Sequence, residues 1–403
     1  MAQIPRLRAY SGPALLSYGF RPFFLLGSAY AGLEVLAWLP MFYGELSIRT
    51  AFSALDWHVH EMLFGYVAAI IAGFLLTAIP NWTGRLPLQG GPLLVLVLVW
   101  LAGRIAVALS AEIGWLAAAL VDVAFLTLMA AAVAREIFAG KNWRNLKIVV
   151  MLALLAVTNL AFHLEAHVEG IASYATRVGI GLVIFLIMIV GGRIVPSFTR
   201  NWLVRQEPGR LPAPLDRFDI ACMVLSAASL LLWAARFDGR AIAAILAAAG
   251  IANAARLARW AGDRTMADRL VLILHVGFAF VPLGFLLGAL AAIGGIAPSA
   301  GIHAWTVGAI GIMTLAVMSR ATLGHTGRPL SATPGLQVVY ALVAIAAVVR
   351  IAAAVLPGWS MALLHVAAFA WAAAFLGFTG LFAPLLCLPK RPSPRGTAGP
   401  RSN

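Results

Sequence analysis

Twelve apolar stretches, most of them about 20 residues or longer, follow one another along this 403-residue chain, with short polar segments between them. A helix of about 20 residues crosses a hydrocarbon core of about 30 Å. Inside hydrocarbon every backbone polar group needs a partner within the protein, so a continuous apolar run of this length crosses as a helix. The sequence therefore reads as an all-α polytopic membrane protein with twelve transmembrane helices. The spans are expected at roughly 22–43, 58–80, 92–110, 113–136, 146–167, 174–198, 217–235, 240–258, 268–292, 300–322, 336–356 and 360–386. Composition agrees: 62% of the residues are hydrophobic and 11% charged, against about 25% charged in soluble domains.

The net charge of +14 raises the question of nucleic acid. Its distribution answers it. One side of the spans holds nearly all the Lys and Arg; the other holds only Arg49, Arg177, Arg236 and Arg240. Such a bias is the positive-inside signal and puts both termini in the cytoplasm. The charge then serves orientation and contact with the lipid bilayer, with no nucleic-acid partner expected. The whole of 1–387 reads as a single transmembrane domain. The Pro-rich, charged segment 388–403 is expected to be a disordered cytoplasmic tail. The N-terminal stretch shows no cleavable signal-peptide pattern.

Orientation assigns a depth to each histidine. His58, His60, His163, His167, His303 and His365 fall toward the outer side, whereas His275 and His325 lie toward the inner side. His163 and His167 are four residues apart, hence on one helix face. Glu61 follows His60 directly, in "WHVHEMLFG". Ionisable groups inside a membrane span are costly, and each marks a candidate site. Glu34, Asp122, Asn159, Glu165 and Arg193 are further polar groups within the spans.

A gapless match relates residues 60–85 to 303–328. It pairs His60 with His303, Gly65 with Gly308, and Thr83-Gly84-Arg85 with Thr326-Gly327-Arg328. Span 6 carries a fainter echo, with Val195-Pro196-Ser197-Phe198-Thr199 against Ile79-Pro80-Asn81-Trp82-Thr83. The same four-helix spacing relates Arg104 to Arg350. The expectation is three parallel four-helix repeats, roughly 20–137, 146–258 and 266–387, of a kind that membrane proteins build around an axis along the membrane normal. Shared composition and turn residues are the competing explanation.

In such a repeat His60 and His303 are equivalents at one depth, placed to reach one heme b from opposite faces, and neutral imidazole is a good axial ligand. Arg104 and Arg350 lie within apolar spans. A guanidinium there either pairs with an anion, such as a heme propionate, or snorkels to the interface, and both readings stay open. Glu61 is placed to orient an imidazole, as carboxylates do for ligating histidines. For His275 a metal ligand, a proton relay and a helix–helix hydrogen bond are all open. No phosphate-binding loop and no Cys-x-x-Cys-His heme attachment motif occur. Cys222 and Cys387 suggest neither a disulfide framework nor a cysteine metal site.

Several stretches carry a resemblance: "GFRPFFLLG" at 19–27, "WHVHEMLFGYVAAIIAGFLLTAIPNWTGRLPLQGGPL" at 57–94, "GGRIVPSFTRN" at 191–201, "LHVGFAFVPLG" at 274–284 and "HAWTVGAIGIMTLAVMSRATLGHTGR" at 303–328. The chain resembles the NnrS family over nearly its whole length. The resemblance implies a twelve-helix bacterial inner-membrane protein containing heme and copper, linked to denitrification, nitrosative stress and tolerance of nitric oxide. A second resemblance, architectural only, is to the catalytic subunits of heme–copper oxidases and nitric oxide reductases. It implies His60 (or His58) with His303 as heme ligands and Arg350 at the propionates. Spans 6, 7 and 8 contain no histidine, which excludes that superfamily's copper centre at its usual place. Copper, if held, falls to some combination of His58, His163, His167 and His365, with His275 a further candidate; copper accepts imidazole readily.

The expected function is a heme-binding membrane protein that handles nitric oxide, with a membrane or periplasmic electron donor if it is an oxidoreductase. A transporter or a metal- or heme-delivery factor with a histidine-lined outer site is the alternative.

Overall fold

The computed structural model describes residues 10–389, and the tail reading for 388–403 lies almost wholly outside them. The described chain contains twelve helices long and apolar enough to cross a membrane. These are α1 (Phe20–Phe42), α2 (Ala54–Thr83), α3 (Gly91–Ala108), α4 (Trp115–Ala139), α5 (Leu146–Glu169), α6 (Ser173–Leu203), α7 (Arg217–Ala234), α8 (Arg240–Ala258), α9 (Arg269–Ala292), α10 (Ser299–Thr326), α11 (Pro334–Val355) and α12 (Ser360–Cys387). Cys222 and Cys387 are both free.

Most boundaries fall within a few residues of those expected from hydropathy. The larger differences are at α2, which starts four residues earlier, and at the C-terminal ends of α6 and α10. Ser53 explains the first: its Oγ accepts from Asp56 N at 3.0 Å, an N-cap that starts the helix within a polar stretch. The histidines of "WHVHE" therefore sit in the second turn of α2 rather than opening it. At the far end of α10, Gly327 adopts φ 73, and Gly84 closes α2 with φ 70. A left-handed C-terminal residue suits glycine, which has no Cβ to clash.

Each helix packs on its successor, and α12 returns to α1, so the chain closes into a ring. Within the ring α2 is the most enclosed helix; α6, α9 and α10 are also largely buried, whereas α8 and α11 show most of their surface outward. The outward surface of the ring is apolar, with Ile105, Leu120, Val157, Val224, Leu231 and Ile251 among the exposed side chains, as lipid contact requires.

Both α2 and α10 are interrupted by a π-helical stretch, Glu61–Val67 in the first and Ala304–Gly311 in the second. Each begins directly after a histidine, His60 and His303, and the two stretches fall at matched positions of the 60–85 and 303–328 alignment. A π stretch leaves the regular ladder and is frequent at functional sites. Within the α2 stretch the Gly65 carbonyl accepts from Trp100 Nε1 at 2.9 Å as well as from the Ala68 N–H. The Tyr66 and Thr314 hydroxyls hydrogen-bond to each other, tying the π stretch of α2 to α10 just past its own.

Candidate functional site

Residues two apart on a helix are separated by about 200°, so His58 and His60 project from opposite faces of α2. The structure shows the consequence. His58 lines a cavity of about 420 Å³ between α2, α6 and α10, with α1, α11 and α12 completing the wall. His60 does not line it and points instead toward α4 and α5.

The cavity holds two imidazoles, His58 and His303, and three guanidiniums, Arg177, Arg236 and Arg350. The rest is largely apolar, including Met62, Leu63, Ile180, Ile302, Ile310 and Leu364. Each histidine is held through Nδ1. His58 Nδ1 lies 2.8 Å from Glu34 Oε1, and its ring stacks on Trp38 with centroids 4.3 Å apart. His303 Nδ1 lies 2.7 Å from the Ser299 carbonyl, which can only accept, so this nitrogen carries the proton. In both rings Nε2 has no hydrogen-bond partner among the described residues. This is how ligating histidines are held: the second nitrogen donates to a carboxylate or carbonyl and leaves Nε2 as a lone pair. None of the three arginines makes an ion pair among the described residues. Arg177 donates to the Trp233 carbonyl at 2.9 Å, and Arg236 lies over the Tyr174 ring at 5.4 Å. Two of these three belong to the few cations counted on the sparsely charged side.

On the opposite face of α2 lies a second, wholly enclosed cluster. His60, Asp122 and His163 are buried, and one ligand atom from each falls within 4.8 Å of the others. Asp122 Oδ2 is 3.1 Å from His60 Nε2 and 3.2 Å from His163 Nε2. Asn159 joins them, with Oδ1 3.0 Å from His60 Nε2 and Nδ2 donating to Asp122 Oδ2 at 2.7 Å. His60 Nδ1 is 2.9 Å from Glu61 Oε1. Arg104 Nη1 donates to Glu61 Oε1 at 2.6 Å, and its Nη2 donates to Asp122 Oδ1. Tyr30 donates to Glu61 Oε2. Phe52, Phe64 and Phe162 pack around the His60 ring. Two carboxylates against one guanidinium leave room for a further positive charge, which either a metal ion or a protonated imidazole supplies.

The expectations from sequence are rearranged accordingly. His60 and His303 do not share a cavity; both nitrogens of His60 are engaged elsewhere, and His58 takes its place. Arg104 is not free for a propionate, because it is paired with Glu61 and Asp122. Arg350 does stand in the cavity. Glu61 is the carboxylate behind His60, as its position next to that residue implied. His163 and His167 do not act together: His163 is buried, whereas His167 is exposed and stacks on Trp115 at 4.5 Å. His365 bonds the Met361 carbonyl at 2.8 Å and stacks on Tyr43. His275 lies apart from both clusters, with Nε2 2.8 Å from Thr199 Oγ1, and ties α9 to α6.

Sequence reasoning noted Asp122, Asn159 and Glu34 as intramembrane polar groups without assigning them roles, and it left Arg177 and Arg236 as orientation charges. Their signal was present. Each is a polar residue where lipid-facing chemistry excludes one, or a cation on the side that lacks cations.

Gly65 shows how tightly the second cluster is built. A Cβ at this position would lie 2.8 Å from Arg104 Nη1 and 3.0 Å from Glu61 Oε2. We expect Gly65→Ala to displace the ion pair and lower the thermal midpoint, by the equivalent of about 1–3 kcal/mol for overpacking. Gly91→Ala, where a Cβ would meet nothing within 4 Å, should leave the midpoint close to that of the parent. Unfolding in detergent, followed by light scattering or fluorescence, distinguishes the two.

Comparison with known families matches residues 14–390 to the family described as NnrS protein. No curated protein matches the chain.

Proposed function

This chain belongs to the NnrS family, and on that premise we propose that it is a heme-binding membrane protein of the bacterial inner membrane that handles nitric oxide. The observation that carries the reading is the pair His58 and His303 in one apolar cavity, each with Nδ1 held and Nε2 uncommitted. The residues present suit a heme b. His58 and His303 would hold its iron through Nε2, and Arg177, Arg236 and Arg350 would pair with its propionates. Glu34 supports this fit. Its side chain is fully buried, and its Oε1 accepts from His58 Nδ1 at 2.8 Å, which fixes the tautomer that leaves Nε2 as a lone pair.

When bound, the heme would supply a redox iron whose ferrous form binds nitric oxide. The protein's own contribution is separate. Glu34 and the Ser299 carbonyl set the tautomer and orientation of the two rings. The apolar part of the cavity wall suits a ligand that partitions into the bilayer.

The His60–Asp122–His163 cluster is the copper candidate. Imidazole nitrogens and a carboxylate suit copper, although they do not select it over zinc. Glu61 stands behind His60 as the outer carboxylate that orients a ligating histidine. With positive-inside orientation, both termini are cytoplasmic and both histidine clusters lie toward the periplasmic side, where a membrane or periplasmic electron donor would meet them. The matched π stretches and glycine caps of α2 and α10 support a repeat relating the first and last thirds of the chain, whereas α6 is a continuous α-helix that ends on Val204. The alternative, a transporter or delivery factor, draws on one observation: a second cavity lies between the other halves of α2, α6 and α10.

Titrating the purified, dithionite-reduced protein with nitric oxide tests the functional reading. A shift of the Soret band saturating at one nitric oxide per heme is expected. A protein that carries heme but shows no spectral response to nitric oxide contradicts the assignment to nitric oxide, and a protein free of heme and copper favours transport.

A further inference from the structure

The second cavity has a chemistry of its own. It is the larger of the two, about 1070 Å³, and is lined by the C-terminal halves of α2, α6 and α10 together with the start of α1. The sequence echoes around Pro80 and Pro196 place Asn81, Phe198, Asn201 and Trp202 in its wall. These motifs have no part in either histidine cluster.

The wall contains three guanidiniums, Arg21, Arg205 and Arg320, and one carboxylate, Asp268. Two of these four charges are spent on the fold. Arg21 Nη1 donates to the carbonyls of Leu385, Leu386 and Leu388. Asp268 Oδ1 caps α9 by accepting from Leu270 N and Val271 N. Arg320 is not spent in this way. It lies inside a membrane-crossing helix, with its guanidinium carbon 4.1 Å from the centroid of the Phe198 ring. It makes no ion pair among the described residues, and its Nη1 is buried without an acceptor. An intramembrane cation normally has a partner, and one without a partner marks a ligand or ion path. The aromatic residue beneath it holds the guanidinium flat but supplies no acceptor oxygen.

We propose that this cavity binds an oxyanion of the phosphate class, with Arg320 and Arg205 supplying the charge and the aromatic wall of Tyr18, Phe74 and Trp202 packing against the rest of the ligand. A guanidinium matches such oxygens through paired N–H donors. The volume exceeds what a bare inorganic ion needs, so the anionic group belongs to a larger molecule, either a soluble organic phosphate or an anionic lipid headgroup. Basic cavities between membrane helices take lipid headgroups by the same chemistry. The proposal does not depend on the heme reading, because it uses none of the residues of that site.

The test uses the full-length protein in nanodiscs of phosphatidylcholine. Calorimetry with glycerol 1-phosphate, and with inorganic phosphate as the smaller probe, reads the soluble source. Native mass spectrometry after addition of phosphatidylglycerol reads the lipid source. Saturable binding of either glycerol 1-phosphate or phosphatidylglycerol is expected, weakened by about tenfold or more in Arg320→Gln through loss of a charge-assisted contact. Arg320→Lys should retain part of the affinity. Arg320 makes no ion pair among the described residues, so Arg320→Gln loses only its stacking on Phe198 and the attraction of the nearby Asp268 and should unfold at most slightly earlier than the parent; if it does not fold, Arg320→Lys carries the comparison. No binding of any probe, or equal binding to parent and both Arg320 variants, overturns the proposal. So does tighter binding of inorganic phosphate than of both larger probes, because that outcome removes the role given to the aromatic wall.

Discussion

Purified His303→Ala is expected to carry no heme, and His58→Ala likewise, whereas His60→Ala should keep its heme. The contrast follows from the two faces of α2. His58 and His303 enter the same cavity with Nε2 uncommitted. His60 lies on the other face, engaged through both nitrogens by Glu61, Asn159 and Asp122. Without either histidine only one imidazole and the arginines would hold the heme, too little to retain it through purification in detergent. Glu34→Gln should be milder, because an amide oxygen still accepts from His58 Nδ1 while the carboxylate charge is lost. Loss of an outer-shell partner costs about 10–100-fold in affinity at metal sites. Heme-to-protein ratio by pyridine hemochrome reads all four variants. Equal heme in His60→Ala and parent supports the assignment; loss of heme in His60→Ala with retention in His58→Ala reverses it.

The largest effect on stability is expected at Arg104. Its guanidinium joins Glu61 on α2 to Asp122 on α4, and all three side chains are nearly or fully buried. Truncation to alanine would leave two carboxylates facing each other without their cation. Breaking a buried pair by removing one partner costs about 3–5 kcal/mol. Arg104→Lys should recover only part of this, because an ammonium cannot reach both carboxylates with the fork that guanidinium presents. The variant should also lose any metal held by His60, Asp122 and His163, since Asp122 is no longer anchored from behind. Thermal unfolding together with elemental analysis measures both effects. An Arg104→Ala protein with the parent's midpoint and metal content would show that the cluster does not depend on this charge.

Much of the fold could be read before the structure, because membrane helices announce themselves by length and apolarity alone. The main misreading was the start of α2. There "FSALDW" reads as a loop by hydropathy, with the span starting at 58, yet Ser53 caps a helix within it. The site was legible in its parts more than in its assembly. The depth shared by His58, His60, His163 and His303 follows from helix direction. The spacing of His58 and His60 also says that they cannot face the same way. What one chain cannot say is which face of α2 meets α4 and α5 and which meets α10, because that depends on how the ring closes. Arg104 illustrates the difficulty. An arginine in an apolar span requires an anion, and the sequence offered a propionate as readily as Asp122, which lies on the next helix. His167 and His365 share the depth but sit on outward-turned faces, where helix phase and not depth decides access.

The optical spectrum of the purified protein, oxidised and then reduced, with iron quantified against protein, tests the central claim most directly. Expression with ample heme supply removes starvation as an explanation for its absence. Sharp reduced b-type bands with close to one iron per chain are the result expected from His58 and His303 in their shared cavity. A colourless protein without iron, folded and intact after such expression, would contradict the heme assignment and leave a histidine-lined transporter or a copper protein as the better account.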